Sequence, residues 1–377
     1  MTILLVDDNQ VNLFVIEKIL KSAGYTNCVS LASAYELFDY LRLDTQNTVD
    51  LILLDIMMPE IDGIEACKRI QQNERLKDIP IIFVTALEDK SKLAEALDIG
   101  GVDYITKPIN KTELLARIRV ALRLKTELDW HKQHEKKITY ELDLATHVQR
   151  SLLSPPLDEK DIRIGVSYLP CSNLAGDMYY WHKIDDHRYA IILLDMMGHG
   201  ISAALVCMFI SSVLREAVKQ LNDPELVIKD LNRYMTLLQD GKDNNLHYFT
   251  AIYLVINTKE KTVEYINAGH PAGYALIDEK TCIPLNQGSC AVGFFDEIDV
   301  SKQFIQYEQD IQIVLFTDGV LEAMGPCEIE AEQHLQALTS TKWEYSQNLI
   351  DNLLPKDKQK NQPDDMCVVM IQANASS

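Results

Sequence analysis

Hydrophobic positions in the first 122 residues fall in short runs, at 3–6, 51–54, 81–84 and 104–105, each bounded by polar turns. Between them lie stretches with helical spacing, such as 11–22 and 64–71. Strand alternating with helix predicts an α/β fold, doubly wound about a parallel sheet that is covered on both faces. From 155 to 375 the pattern changes. Extended runs predominate, at 163–169, 189–194, 249–256, 262–266, 311–316 and 366–371, and two long helical patterns interrupt them near 201–221 and 224–238. Strands with few helices between them predict an α+β domain of stacked sheets. Residues 324–362 lean towards helix and carry no readable chemistry.

The two halves are joined by residues 110–153, which contain neither proline nor glycine. Leu114, Ile118 and Ala121 recur at helical steps, and so do Ile138, Leu142, Ala145, Gln149 and Leu152. Asn110 with Glu113 has the spacing of a capping box, and Ser154-Pro155-Pro156 ends the pattern. A continuous rod of this length would reach roughly 60 Å. The polar stretch 129–137 separates the stripes, so neither is expected to be one unbroken core helix. Two readings stay open. The connector, a helical linker and regulatory helix, is placed at 123–154; one reading of it is a domain-final helix, a solvated linker and a domain-initial helix. The other is a signalling helix that pairs with a second copy as a homodimeric coiled coil.

A length of 377 residues gives ample core for two or three domains. The formal charge of −20 repels phosphate backbones, so nucleic-acid binding is not expected, and clustered acids suit divalent ions. Eight cysteines without a CxxC pair or zinc spacing read as thiols of a reducing cytoplasm. The start, MTILLVDDN, lacks the basic region and long apolar core of a signal peptide. No apolar run approaches the ~20 residues of a membrane span, so no membrane partner is expected.

Polar residues of the first half stand where the apolar runs end, the place where open parallel sheets bind ligands. Asp7 and Asp8 follow 3–6, Asp55 follows 51–54, Thr85 follows 81–84 and Lys107 follows 104–105. Adjacent carboxylates can hold magnesium, and a further carboxylate can attack a phosphoryl group. A hydroxyl and an ammonium can stabilise its oxygens. Lys107 precedes Pro108, a peptide for which both isomers are open. The stretches LLVDDN, LILLDIMMPEIDG, VTAL and DYITKPI resemble the receiver domain of two-component response regulators, of flavodoxin-like fold. The resemblance implies phosphorylation of Asp55 by a sensor histidine kinase. It also implies one Mg ion on Asp7, Asp8 and Asp55, phosphoryl sensing by Thr85 and Lys107, and a switch aromatic at Tyr104.

The acids of the second half again sit at strand ends or turns. Asp177 lies in LAGDMYY, Asp195 ends YAIILLD ahead of MMGHG, Asp318 lies in FTDG, and Asp364 and Asp365 open DDMCVVMI. Carboxylates converging from separate strands repel unless metal sits among them, and paired divalent ions can activate water for hydrolysis. The ordered set AGDMYY, LLDMMGHGISAAL, NAGHPAGYAL, FTDGVLEA and DDMCVVMI resembles PPM-type serine/threonine phosphatases of the SpoIIE/RsbU branch. Residues 140–153 are similar to the regulatory helix of that branch. The resemblance implies two Mn or Mg ions, with Asp195 bridging them and the Met196 carbonyl on one. It places Asp318 and Asp364 on the other, with Asp177 in support. Water activated by the metals, not a protein side chain, would attack the phosphorus. Ala175 stands where the family often has a glycine, and Tyr180 where it often has an acid, which bears on loop shape more than on ligation.

His199 and His270 read first as residues that shape turns near this site. His131 and His134 read as solvated, and the Met57-Met58 and Met196-Met197 pairs as packing. Together the resemblances imply a receiver at 1–122 that controls a phosphatase at 155–375. Its phosphoserine or phosphothreonine substrate would be an anti-sigma-factor antagonist, whose dephosphorylation releases an alternative sigma factor. The other class open is a phosphorylation-gated scaffold that binds the same partner without hydrolysis.

Overall fold

The computed structural model describes residues 1–44, 48–86, 90–221, 223–238, 247–325, 327–344, 349–359, 362 and 364–374. The chain divides into two compact units, Met1–Thr139 and Tyr140–Ser377.

In the first unit β1 (Thr2–Val6), α1 (Gln10–Ser22), β2 (Cys28–Leu31), α2 (Ala34–Leu43) and β3 (Val49–Asp55) come first. They are followed by α3 (Gly63–Gln71), β4 (Ile81–Thr85), α4 (Lys90–Asp98) and β5 (Asp103–Thr106). The five strands form a parallel sheet in the order β2-β1-β3-β4-β5. Strands β1, β3 and β4 are buried almost throughout because helices cover both faces, which explains their unbroken apolar runs. The sequence reading passed over β2. Its four residues, CVSL, are mostly half-exposed and give too short a run to stand out.

Helix α5 (Lys111–Ser151) is a single helix of 41 residues. Of the two readings left open, the continuous helix is the one found, since residues 129–137 stay helical. Salt bridges with i,i+4 or longer reach support the polar stretch: Lys125 pairs with Asp129 at 2.6 Å, and Lys132 pairs with Asp78. Leu114, Ile118 and Ala121 are buried in the first unit's core. In the second unit Gln149 is buried, Leu142, Ala145 and Leu152 are half-buried, and Ile138 at the boundary is exposed.

The second unit begins with β6 (Leu157–Asp158), β7 (Ile162–Leu169), β8 (Asp177–Lys183) and β9 (Arg188–Met196). Next come α6 (Ile201–Leu221), α7 (Pro224–Leu238), β10 (Phe249–Asn257), β11 (Thr262–Ala268), β12 (Gly273–Ile277) and β13 (Thr281–Leu285). Then follow β14 (Gly288–Ser289), β15 (Gln303–Gln306), β16 (Asp310–Phe316), α8 (Asp318–Met324), α9 (Glu328–Thr339), a 3-10 turn (Leu349–Asn352) and β17 (Met366–Asn374). One sheet runs β14-β11-β10-β9-β8, with β15 also paired to β11. The other runs β13-β12-β16-β17-β7-β6. One core lies between the sheets and joins Ile191, Leu193, Ile252 and Leu254 to Ile313, Leu315, Val369 and Ile371. The outer face of the first sheet packs on α6 and α7. The outer face of the second packs on α8, α9 and the 3-10 turn, so the helix-leaning stretch from 324 covers a sheet. The result is a four-layer α-β-β-α sandwich.

Helix α6 departs from the expectation about membrane spans. By length and composition alone its 21 residues are apolar enough to cross one. In this fold one side of the helix, including Ala204, Cys207, Ile210 and Leu214, is core.

Candidate functional site

Three carboxylates meet at the carboxyl end of the first unit's sheet. Asp7 and Asp8 follow β1 and Asp55 ends β3, and one oxygen from each lies within 4.8 Å of the others. Asp7 and Asp55 are buried, whereas Asp8 is exposed. The Asn9 backbone N–H donates to Asp7 Oδ1 at 2.9 Å, and the Asn12 side-chain amide donates to both Asp7 oxygens at 3.0 Å. Lys107 Nζ donates to Asp7 Oδ2 at 2.8 Å and to Asp55 Oδ2 at 3.0 Å. The Lys107–Pro108 peptide is cis. Burial raises the Asp55 carboxyl above its ordinary range and Lys107 opposes that rise. On Lys107 burial acts downward, but hydrogen bonds and attraction from Asp7 and Asp55 outweigh it and the ammonium is held up.

Gly63 shows how tightly this end is built. A Cβ there would stand 2.1 Å from the Asp55 carbonyl oxygen, so only glycine lets α3 start against β3. Thr85 ends β4 and is fully buried. Tyr104 in β5 is half-buried, with the Arg117 guanidinium 5.8 Å from its ring centre. Arg117 is itself held by Asp103 at 2.5 Å and Glu113 at 2.8 Å. The structure thus brings together Asp7, Asp8, Asp55 and Lys107, with Thr85 at the end of β4 and Tyr104 inside β5, opposite Phe83.

In the second unit the acids come from both sheets of the sandwich. Asp177 opens β8 directly opposite Asp195 on β9. Asp318 starts α8 after β16, and Asp364 precedes β17, the strand beside β16. Burial raises Asp195 to about 8, with repulsion from Asp318 and Asp364 adding to it. Asp177 is driven well above the carboxylate range by burial and then by Asp195, and Asp318 is raised chiefly by burial. Carboxylates crowded in this way stay ionised only with positive charge among them. An all-oxygen donor set of this kind fits hard divalent ions. The set is wider than the triad of the first unit, because no three of these four acids bring ligand oxygens within 4.8 Å of one another.

Of the Asp364-Asp365 pair, the two members do different work. Buried Asp365 accepts from the Cys171 N–H and the Gly176 N–H, both at 2.7 Å. It braces the loop ahead of β8. Asp364 Oδ1 accepts the N–H of Asp365 at 2.7 Å. Its charge acts on Asp195 and Asp318. Thr317 Oγ1 donates to Asp177 Oδ2 at 2.7 Å and accepts from the Cys367 N–H at 2.9 Å, tying the two sheets together under the site. Gly319 cannot carry a side chain, since a Cβ would sit 2.1 Å from the Asp365 carbonyl oxygen.

Sequence reasoning placed Gln149 on a stripe and missed its chemistry. Its side-chain amide donates to the Ala175 carbonyl at 2.7 Å, and its Oε1 accepts the Ala175 N–H at 3.1 Å. This closes a two-bond clamp from α5 onto the loop two residues before Asp177. A polar residue within an otherwise apolar stripe was the available signal. Ala175, the position where a glycine is frequent, is fully buried within this clamp.

His199 is exposed in its turn. His270 is buried, its Nδ1 lies 2.8 Å from Thr250 Oγ1, and Thr250 pairs with Asp195 across β10 and β9. Burial pushes His270 down to about 3, so it stays neutral and serves as a hydrogen-bonding strut. His131 and His134 are exposed, each with its ring 5.0 Å from that of Trp130. All eight cysteines are free thiols.

Residues 3–119 match the response regulator receiver domain, and residues 185–374 match Stage II sporulation protein E. Phosphoserine phosphatase RsbP of Bacillus subtilis (strain 168) is 31% identical over 233 residues, covering 61% of this chain and 57% of that protein. Phosphoserine phosphatase RsbU of the same organism is 30% identical over 232 residues, covering 58% of this chain and 66% of that protein. The chain thus spans a little over half of the first relative and about two-thirds of the second. The SiaA-PP2C domain of Pseudomonas aeruginosa superposes with a TM-score of 0.50 at 19% identity, over 64% of this chain and 99% of that domain, which supports the sandwich fold. With a response-regulator receiver domain ahead of it, the second unit makes this chain a member of the Stage II sporulation protein E family.

Proposed function

We propose that this protein is a response regulator whose receiver controls a metal-dependent protein serine/threonine phosphatase. The observation that carries the reading is the convergence of Asp177, Asp195, Asp318 and Asp364 at one edge of the sandwich, with burial and mutual repulsion raising Asp195 to about 8. Two manganese or magnesium ions, when bound, would offset that repulsion and supply an activated water and Lewis-acid stabilisation. The Asp195 carboxylate acts on Asp177, Asp318 and Asp364, and these four residues would hold the ions, with Asp195 shared between them. The Met196 carbonyl adds an oxygen beside it. Thr317 fixes the Asp177 carboxylate, and Asp365 and Gln149 fix the loop that presents it. In the receiver, Asp55 is the phosphoryl acceptor, Asp7 and Asp8 with Asp55 hold one Mg ion, and Lys107 supplies the counter-charge. Thr85 and Tyr104 sense the phosphoryl group.

The phosphodonor is a sensor histidine kinase. The substrate is a serine- or threonine-phosphorylated regulatory protein of the anti-sigma-factor-antagonist type, and its dephosphorylation frees an alternative sigma factor in the cytoplasm. RsbP and RsbU, named phosphoserine phosphatases, support the reaction class. The functional boundaries follow as 1–122 for the receiver, 123–154 for the connecting helix and 155–375 for the phosphatase. Exposed Leu124, Leu128 and Ile138 fall in the same four-then-three series as Leu142 and Ala145, with polar His131 and Glu135 at the two positions between, and this phase supports pairing of α5 with a second copy.

The test is manganese-dependent turnover of a phosphoserine protein with and without beryllofluoride, beside p-nitrophenyl phosphate and an Asp195→Asn variant. Turnover that Asp195→Asn abolishes supports the enzyme. Absence of turnover on both substrates favours the scaffold reading.

A further inference from the structure

Beside the acidic site lies an apolar surface that the fold leaves uncovered. The strand that carries Asp195 runs through Met196 into Met197, which is 49% exposed, and then into α6. Along α6, Ile201, Leu205 and Phe209 recur every fourth residue and are 55%, 59% and 40% exposed. That spacing places them in one row, on the side of the helix away from its core face. The Met197 N–H donates to the Tyr248 carbonyl at 3.1 Å. The Tyr248 ring packs edge-on against Phe294 at 5.3 Å, and Phe294 packs against Phe295 at 4.9 Å. Phe294 and Phe295 are 44% and 55% exposed. Asn232 on α7 holds this loop by donating to the carbonyls of Phe295 and Asp296, both at 3.0 Å. These aromatic rings are therefore fixed outward on a braced loop.

Three apolar side chains in a row on α6 and two edge-packed aromatic rings on the loop tied to Met197 through Tyr248 are more than the scattered exposure that needs no explanation. Charge argues for what covers them. Residues 140–377 hold 34 Asp and Glu against 18 Lys and Arg, so a phosphorylated, anionic protein gains no long-range attraction to this unit. Binding must come from short-range burial, and the row begins two residues from Asp195. We infer that Met197, Ile201, Leu205, Phe209, Phe294 and Phe295 form the docking surface for a folded phosphoprotein substrate, which seats an apolar patch there while its phosphoryl group enters the acidic site. This rests on the phosphatase reading and adds its specificity: selection is made by apolar contact outside the metal site, so free phosphopeptides and aryl phosphates are poor substrates.

The experiment compares the wild-type protein with a Leu205→Gln/Phe295→Gln double variant in the full chain with manganese. Both substituted positions are exposed, so the fold is expected to persist. Three substrates are used: p-nitrophenyl phosphate, a serine-phosphorylated anti-sigma-factor antagonist, and a short peptide carrying the same phosphoserine. The expected result is a loss of tenfold or more in kcat/KM on the phosphoprotein, with turnover of the aryl phosphate and the peptide held within twofold. Wild-type kcat/KM on the phosphoprotein is also expected to hold or rise, and not to fall, as salt is raised, because screening relieves the repulsion between two acidic partners and leaves apolar contact in place. Equal loss on all three substrates, or no loss on the phosphoprotein, overturns the docking surface while leaving the phosphatase intact. A dimer in sedimentation that the double variant dissociates would assign the row to a second copy and likewise overturn it. A wild type inactive on every substrate removes the phosphatase reading itself, a distinct outcome.

Discussion

Gln149 is the residue whose removal separates scaffold from chemistry most cleanly. Replacing it with alanine leaves both the N–H and the carbonyl of buried Ala175 without these partners, a cost of about 1–3 kcal/mol. The loop they hold leads directly to Gly176 and Asp177. Gln149→Ala is expected to lower aryl phosphate turnover at least tenfold and to raise the manganese needed for half-maximal rate, while circular dichroism stays unchanged. Unaltered manganese dependence would show that the clamp carries no catalytic consequence. His270 yields a pH prediction. Its folded pKa is pushed down to about 3, below the usual histidine value of about 6.5. Between those values the unfolded chain binds a proton that the folded one does not, so stability falls as pH drops from about 6.5 towards 3. The limit is roughly 1.4 kcal/mol per pH unit for one such proton. His270→Gln should flatten this part of the denaturation profile, read by urea unfolding at pH 7 and pH 5.

At the scale of elements, α5 is the segment that both units share. At about 100° per residue, its Leu114-Ile118-Ala121 stripe and its Leu142-Ala145-Gln149 stripe face sides of the helix roughly 110° apart. The first stripe lies in the first unit's core, and Gln149 of the second clamps Ala175. Polar substitutions at the half-buried Leu142 and Ala145 should loosen the second stripe alone. Activation by beryllofluoride is expected to disappear in Leu142→Gln/Ala145→Ser while basal aryl phosphate turnover persists. Full activation in that variant would mean the helix is only a tether.

For the molecule as a whole, the proposed function requires the receiver and the phosphatase unit to share an equilibrium that phosphorylation shifts. A differential of about 2 kcal/mol between the competent and incompetent states gives roughly a thirtyfold change in rate. Asp55→Ala keeps the phosphatase site intact and removes the phosphoryl acceptor, so basal turnover should remain and the response to phosphodonor should vanish. A variant that still responds to acetyl phosphate would place the modification elsewhere. The acidic balance of the second unit bears at this scale too, because it offers an anionic partner no net long-range attraction.

The chemistry was legible in the sequence wherever local order sets it. Apolar runs that end in Asp55, Thr85 or Asp195 mark strand ends because a buried strand must surface there, and a glycine after Asp318 marks a turn for the same local reason. The short strands were less legible. β2 is half-exposed, and β8 reads DMYYWHK, a mixture of apolar and polar residues without clean alternation. Three-dimensional packing alone decided the rest. It made 111–151 one helix, with Leu114, Ile118 and Ala121 in the first unit's core, Lys132 paired to Asp78 and Gln149 bonded to Ala175. It gave Asp365 to the loop and left Asp364 to the acidic cluster, a division that neighbouring identical residues cannot reveal. It turned Gln149 from a stripe position into a clamp on Ala175. Sequence determines which groups are present and where each strand must end. Which of them meet, and which apolar rows remain uncovered beside them, depends on contacts between residues far apart in the chain.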